Sequence, residues 1–220
     1  AMWSSEVTNM IITGIWETLY MTLVSTLVGY VIGLPMGIIL TVSDKDGIKP
    51  NAVLYKILDV IANIVRSVPF IILLVLLIPF TRLVVGKSYG STATIVPLVI
   101  AAAPYIARMV ESSLKEVDAG VIEAARSMGA SNFTIITKVM LVEARTSLLV
   151  GATITLGTIL GYSAMSGAVG GGGLGAIAIR YGYTRWQTDI MIVTVILLII
   201  LFQIFQTVGM KLADKFDHRK

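Results

Sequence analysis

The chain contains no cysteine, so neither disulfides nor thiolate metal sites are open to it. It has one histidine, His218, in a basic C-terminal tail. Charge is scarce as well: 14% of the 220 residues are Asp, Glu, Lys or Arg, where a soluble domain carries about 25%. No nucleophile–base pair or metal cluster offers a start for an enzyme reading. Six glycines fall within Gly167–Gly175, yet no G-K-[ST] follows them and no strand pattern precedes them, so a phosphate-binding loop is not expected. Nothing else in the chain is built to bind a nucleotide, and no cofactor is expected in it. Linkers, low-complexity tracts and repeats are also missing, which leaves a single domain over residues 1–220.

What fills the chain instead is apolar sequence. Hydrophobic residues make up 56% and the mean hydropathy is +0.88. A helix needs about 20 residues, at about 1.5 Å each, to cross about 30 Å of hydrocarbon. Thr18–Ser43, Ser88–Ala107, Thr146–Ile179 and Ile190–Met210 are uncharged and long enough. Ser67–Thr81 is short, and becomes a span if Arg66 and Arg82 extend their heads to the two interfaces. The expected fold is therefore all-α, a polytopic membrane protein with five transmembrane helices in contact with lipid.

Basic residues give the orientation. With the N-terminus outside, thirteen fall on inner segments, from Lys45 to Lys220, against Arg82, Lys87, Arg180 and Arg185 outside. The net charge of +4 is then a topology signal, and nucleic acid is not an expected partner. Residues 1–10 lack Lys and Arg and no cleavage motif follows, so no secretory signal is expected. Glu17, Asp59, Glu111 and Asp189 are expected near or beyond helix ends, where interfacial roles suit them better than a proton relay. That disfavours a proton-driven carrier, and an ion channel lacks its acidic ring.

Gly29, Gly33, Pro35 and Gly37 mark the first span, Pro69 and Pro79 the second, Pro97 and Pro104 the third. Gly157 and Gly161 are spaced for close helix packing. Tight packing accounts for these, and a bundle that rearranges around a pathway accounts for them too. The glycines of 167–175 fit a flexible, tightly packed turn at the outer face.

Polar detail concentrates in the inner loop 108–145. Asp118 can cap a helix from Ala119, Val121, Ala125 and Met128 share a face, and Gly129 suits a left-handed stop. Ser131 can cap a second helix whose face holds Phe133, Ile136 and Met140. Two short helices joined by a turn could be an elbow packed on the bundle or a docking element. A helix-turn-helix for DNA fails for want of a third helix and a basic face.

The sequence Glu123-Ala124-Ala125, three residues, Gly129, then nine residues to Val139 and Leu141 resembles the EAA loop of bacterial ABC importer permeases. Val142 stands where that pattern carries proline. The segments RSVPFIILL from Arg66, IPFTR from Ile78, PYIARMVE from Pro104, GYSAMSGAVG from Gly161 and RYGY from Arg180 are similar to permease subunits of methionine importers. The resemblance covers roughly residues 10–212. It implies a non-catalytic inner-membrane subunit that forms a homodimer and forms the pathway for methionine, of D or L configuration, by alternating access. It further implies two copies of a cytoplasmic ATPase carrying ATP and Mg, and a methionine-binding periplasmic protein or lipoprotein. Glu123, Ala124, Ala125 and Gly129 would couple to the ATPase. Tyr162, Ser163 and Met165, a few dipoles in an apolar span, would line the path. A related permease for another small amino acid or a quaternary amine is the nearest alternative.

Overall fold

A computed structural model describes residues 4–217; His218, Arg219 and Lys220 of the basic tail lie outside them. Among the described residues the chain is helical, with no strand. Four helical stretches are long and apolar enough to cross a membrane, and a fifth is counted if one bent pair is taken as a single crossing. The expected count of five thus holds only through that bent pair.

Helix α1 (Ser5–Ser43) begins well before the expected Thr18, with the Ser4 hydroxyl accepting from the Val7 N–H at 3.4 Å. Its inward face is a stripe of small residues: Gly14, Thr18, Thr22, Ser25, Thr26, Gly29, Gly33, Gly37 and Thr41 are all buried. From Gly29 to Gly37 that stripe lies against α5 (Ser91–Lys115), while Gly14 and Thr18 meet Leu174. A Cβ on Gly33 would sit 2.6 Å from the Ala103 carbonyl, and one on Gly37 2.6 Å from that of Ala107. Lipid tails are as apolar as the side chains, so helices associate through such close backbone approach rather than through escape from water. The expected pair Gly157 and Gly161 divides: Gly157 packs closely, a Cβ there lying 2.5 Å from the Phe202 ring, whereas Gly161 faces open space.

The second crossing departs most from expectation. It is not a helix over Ser67–Thr81. Helix α2 (Ala52–Ser67) runs antiparallel along α5, α3 (Phe70–Leu76) leaves it at a bend of 101°, and α4 (Ile78–Val85) ends at Gly86, φ +83°. Pro69 lacks an N–H and restricts Val68 to extended backbone, which ends α2. Val53, Ile57, Val60, Ile61 and Ile64 are exposed along α2, while Tyr55, Asp59 and Asn63 face α5. An apolar face outward and a polar face inward suits a lipid surround. Arg66 lies exposed in the last turn of α2, just before the bend.

Past α5 the loop folds as α6 (Ala119–Ser127), α7 (Asn132–Thr134), a π-helical turn (Ile135–Met140) and α8 (Leu141–Glu143). Helix α9 (Arg145–Ser166) follows, then the glycine turn, α10 (Gly173–Ile177), a second π-helical turn (Ala178–Tyr183) and α11 (Thr188–Lys215). The expected run Thr146–Ile179 is thus divided at its glycines. One core cluster runs from Met21, Leu98, Ile106 and Leu114 in the bundle to Ala125, Ile135 and Met140 in the loop. The loop is part of the bundle's packing.

Candidate functional site

The two loop helices are fixed by local chemistry. The Asp118 carboxylate accepts from the Gly120 N–H at 2.7 Å. The chain then stops α6 with Gly129 at φ +82°, where the Ala130 N–H reaches the Ala125 carbonyl at 3.1 Å and the Gly129 N–H that of Arg126 at 3.0 Å. This pairing satisfies carbonyls that a helix end leaves free. The Ser131 hydroxyl accepts from the Thr134 N–H at 3.2 Å.

Both apolar faces are rotated from their expected positions. Ile122 and Ala125 pack inward, whereas Val121 is 41% and Met128 82% exposed. In the second segment Ile135 and Met140 are buried and Phe133 is 74% exposed. The π-helical turn bonds i to i+5 instead of i+4 and is wider than an α-helical one, so the α-helical series Phe133, Ile136, Met140 is broken and Ile135 and Met140 are the buried pair. Val142 is a half-exposed helical residue in α8.

The predicted coupling residues consequently divide. Ala125 anchors α6 to the core, while Glu123, Ala124 and Gly129 are exposed. Met128 and Phe133 stand out beside them. Glu123 makes no ion pair among the described residues; it lines a cleft of about 820 Å³ with Asp44, Asp46, Lys115 and Arg126. An outward surface of small residues, two large apolar side chains and an unpaired carboxylate is suited to a macromolecular partner.

The predicted path residues do not share a surface. Tyr162 stacks on Phe70, with centroids 4.4 Å apart and planes at 4°. Ser163 is buried, its hydroxyl donating to the Leu160 carbonyl at 2.7 Å, and Met165 is exposed.

Sequence reasoning missed a charged hub beside the loop. Glu111, expected near a helix end, is inside α5 and 5% exposed. Its carboxylate accepts from Arg108 Nη1 at 2.7 Å, Lys115 Nζ at 2.8 Å and the Tyr55 hydroxyl at 3.2 Å. Arg108 Nη2 also pairs with the Asp59 carboxylate and donates to Asn63 Oδ1 at 2.9 Å. Lys115 reaches Asp44 beyond the end of α1 at 2.7 Å, and this bond holds the Asp44 carboxyl below the usual carboxylate range. The signal was present: Arg108, Glu111 and Lys115 at i, i+3 and i+7 share a face, as do Tyr55, Asp59 and Asn63 on α2.

At the other end, Glu17 lies inside α1. Its carboxylate accepts from the Gly173 N–H at 2.7 Å, and the Thr18 hydroxyl accepts from the Leu174 N–H at 2.9 Å. Gly170 and Gly173 take φ +88° and +81°, a conformation natural to glycine. The glycine segment is a tightly packed turn: Gly172 and Gly173 meet α1, Gly171 and Gly175 fit against the end of α9, and Gly167 against α10.

The model of a family described as binding-protein-dependent transport system inner membrane component matches residues 29–219. A probable D-methionine transport system permease protein of Vibrio cholerae serotype O1 is 49% identical over 219 residues, covering 100% of this chain and 97% of the relative. The D-methionine transport system permease protein of Escherichia coli strain K12 is 52% identical over 158 residues, 72% of this chain and 73% of the relative. A solved structure of the MetNI methionine ABC transporter, described as inward facing, contains a chain with TM-score 0.96 and 49% identity, covering 98% of this chain and 100% of that one.

Proposed function

The chain belongs to the family of binding-protein-dependent transport system inner membrane components, and we propose from that premise that it is the permease subunit of an ATP-driven methionine importer. The observation that carries the reading is the outward surface of the loop, with Glu123, Ala124, Met128 and Phe133 presented on a scaffold packed into the bundle. The substrate class comes from relatives that are named for D-methionine transport and resemble this chain over nearly its whole length. Another small amino acid remains the alternative substrate.

In this reading the N-terminus faces outside, the loop lies in the cytoplasm, and two copies of the chain pair around the path. Two ATPase subunits, which carry ATP and Mg, seat the two loops. Ala124 permits close approach and Glu123 meets a cation of the ATPase. Ala125 and Gly129 hold α6 rigid, so that a push on the loop reaches the membrane helices. ATP binding closes the ATPase pair, the loops move together, and the bundle opens to a methionine-binding protein or lipoprotein outside. The likeness in shape to an inward-facing transporter supports a resting state open to the cytoplasm. Tyr162 and Ser163 are turned away from such a path here, the Tyr162 ring covered by Phe70 and the Ser163 hydroxyl bonded to its own helix, while Met165 is exposed; in this reading the three line it together only in another state of the cycle.

The test is labelled-methionine uptake into proteoliposomes carrying the purified complex, with and without ATP on the ATPase side. Uptake is expected only with ATP. Uptake indifferent to ATP and abolished by a protonophore would replace the reading with a proton-driven carrier.

A further inference from the structure

We propose that Arg108 is a positioning residue of the transport cycle, holding α2 as an extension of the docking loop so that loop movement reaches the Phe70–Tyr162 contact. The inference rests on the permease reading above.

A series of polar contacts, joined by two short stretches of backbone, runs between the two places. In α6, Arg126 Nη2 donates to the Ile48 carbonyl at 3.1 Å, tying the loop to the segment that follows α1. That segment starts at Asp44, which pairs with Lys115 at 2.7 Å. Lys115 pairs with Glu111 at 2.8 Å, and Glu111 with Arg108 at 2.7 Å. Arg108 then grips α2 through the Asp59 carboxylate, the Asp59 carbonyl at 3.2 Å and Asn63 at 2.9 Å. Four residues beyond Asn63, α2 ends and the chain bends through 101° at Val68 and Pro69 into Phe70. Phe70 is 7% exposed and stacks on Tyr162 of α9.

The geometry needs a guanidinium. Arg108 joins carboxylates on two helices through separate nitrogens of one planar group, which a lysine ammonium on a flexible stem cannot reproduce. The hub also has spare acceptors: Glu111 and Asp44 both face Lys115, so cations can change partners as helices slide without leaving a charge bare. Without the hub, α2 has few other holds, because most of its apolar side chains point outward. A chain of contacts alone does not establish energetic coupling, so the test must read coupling itself.

The experiment uses the full complex in proteoliposomes and measures ATP hydrolysed, methionine taken up, and the melting temperature of the complex. Arg108→Lys keeps the positive charge but removes the two-nitrogen fork, and Asp59→Asn keeps the side-chain size and an acceptor oxygen but removes the charge. Both are expected to assemble, to melt near wild type and to hydrolyse ATP within about twofold, while methionine delivered per ATP falls at least about five-fold. The double variant should fall no further than the worse single one, because both remove the same link. Unchanged methionine per ATP in both variants overturns the proposal. So does a loss in which uptake, hydrolysis and melting temperature decline together, since that is the mark of a merely structural ion pair. If the wild-type complex itself moves methionine without ATP, the permease reading falls first and this inference with it.

Discussion

The two ends of the bundle both hold buried or half-buried acids, and they hold them differently. At the loop end Glu111, Asp59 and Asp44 are met by the side-chain cations Arg108 and Lys115. At the opposite end Glu17 is met by the backbone N–H of Gly173, beside the Thr18 hydroxyl on Leu174. A backbone donor cannot leave without unfolding its turn, so Glu17 pins the glycine turn to α1. A lysine or arginine head can turn to a second acceptor, so the loop end can be firmly paired in more than one arrangement. One end is held by backbone bonds, and the other is, in the proposal above, the end that moves.

The largest effect is expected outside the hub, at the surface it serves. Glu123→Ala should weaken assembly with the ATPase by about 2–5 kcal/mol, mostly because a partner cation is left unpaired. A titration of ATPase binding to the permease reads it. Wild-type assembly and uptake in this variant would remove Glu123 from the docking surface and leave the loop end without its stated purpose.

Next comes the seam that joins the two ends. Gly33→Val places side-chain atoms where the Ala103 carbonyl and Ile106 already lie, 2.6 and 2.8 Å from a Cβ. Overpacking of this kind costs about 1–3 kcal/mol, seen as a lower melting temperature of the detergent-solubilised protein. Gly161→Val should be close to neutral in the same assay, since Gly161 faces open space. Equal losses at the two positions would mean that the close approach at Gly33 costs no more to disturb than the open side of α9.

At the holding end, Glu17→Ala leaves the Gly173 N–H without its acceptor, a loss of about 1–3 kcal/mol. Glu17→Gln should recover part of it through the amide oxygen. Hydrogen exchange at Gly173 and Leu174 is the specific readout: faster in Ala, intermediate in Gln. Equal exchange in all three proteins would show that the turn holds itself.

How much of this could be read beforehand differs by element. The long apolar runs gave α1, α5, α9 and α11, because lipid-facing helices need only length and hydropathy, though the true helices extend past Thr18, Ala107 and Met210. The caps at Asp118 and Ser131 and the left-handed Gly129 were legible because each is a local interaction within three residues. The outward positions of Met128 and Phe133 were not: Met128 is the cap at which α6 ends, outside its helical period, and the π-helical turn after Phe133 changes the period of the second segment. Helix α2 was overlooked for a related reason. Its Lys56, Asp59 and Arg66 look unsuited to a membrane until Asp59 is seen to meet Arg108 from a distant helix. That pairing spans 49 positions, and no local pattern contains it.

The smallest effect tests whether the moving end is electrostatic at all. Asp44 has its carboxyl lowered, chiefly by the hydrogen bond from Lys115. A carboxyl that is more acidic folded than unfolded stabilises the fold above its unfolded pKa, about 4 for aspartate, and loses that contribution as pH falls through the lower folded value. The melting-temperature gap between wild type and Asp44→Asn should therefore be constant from neutral pH down to about pH 5 and close below about pH 4. The gap should also be narrow, since the Lys115 side chain is 42% exposed and solvent screens the pair. A gap that persists unchanged into acid would mean that Asp44 acts by shape or hydrogen bonding alone. Lys115 would then exchange no charge between Asp44 and Glu111, and the contrast with the backbone-held Glu17 would lose its basis.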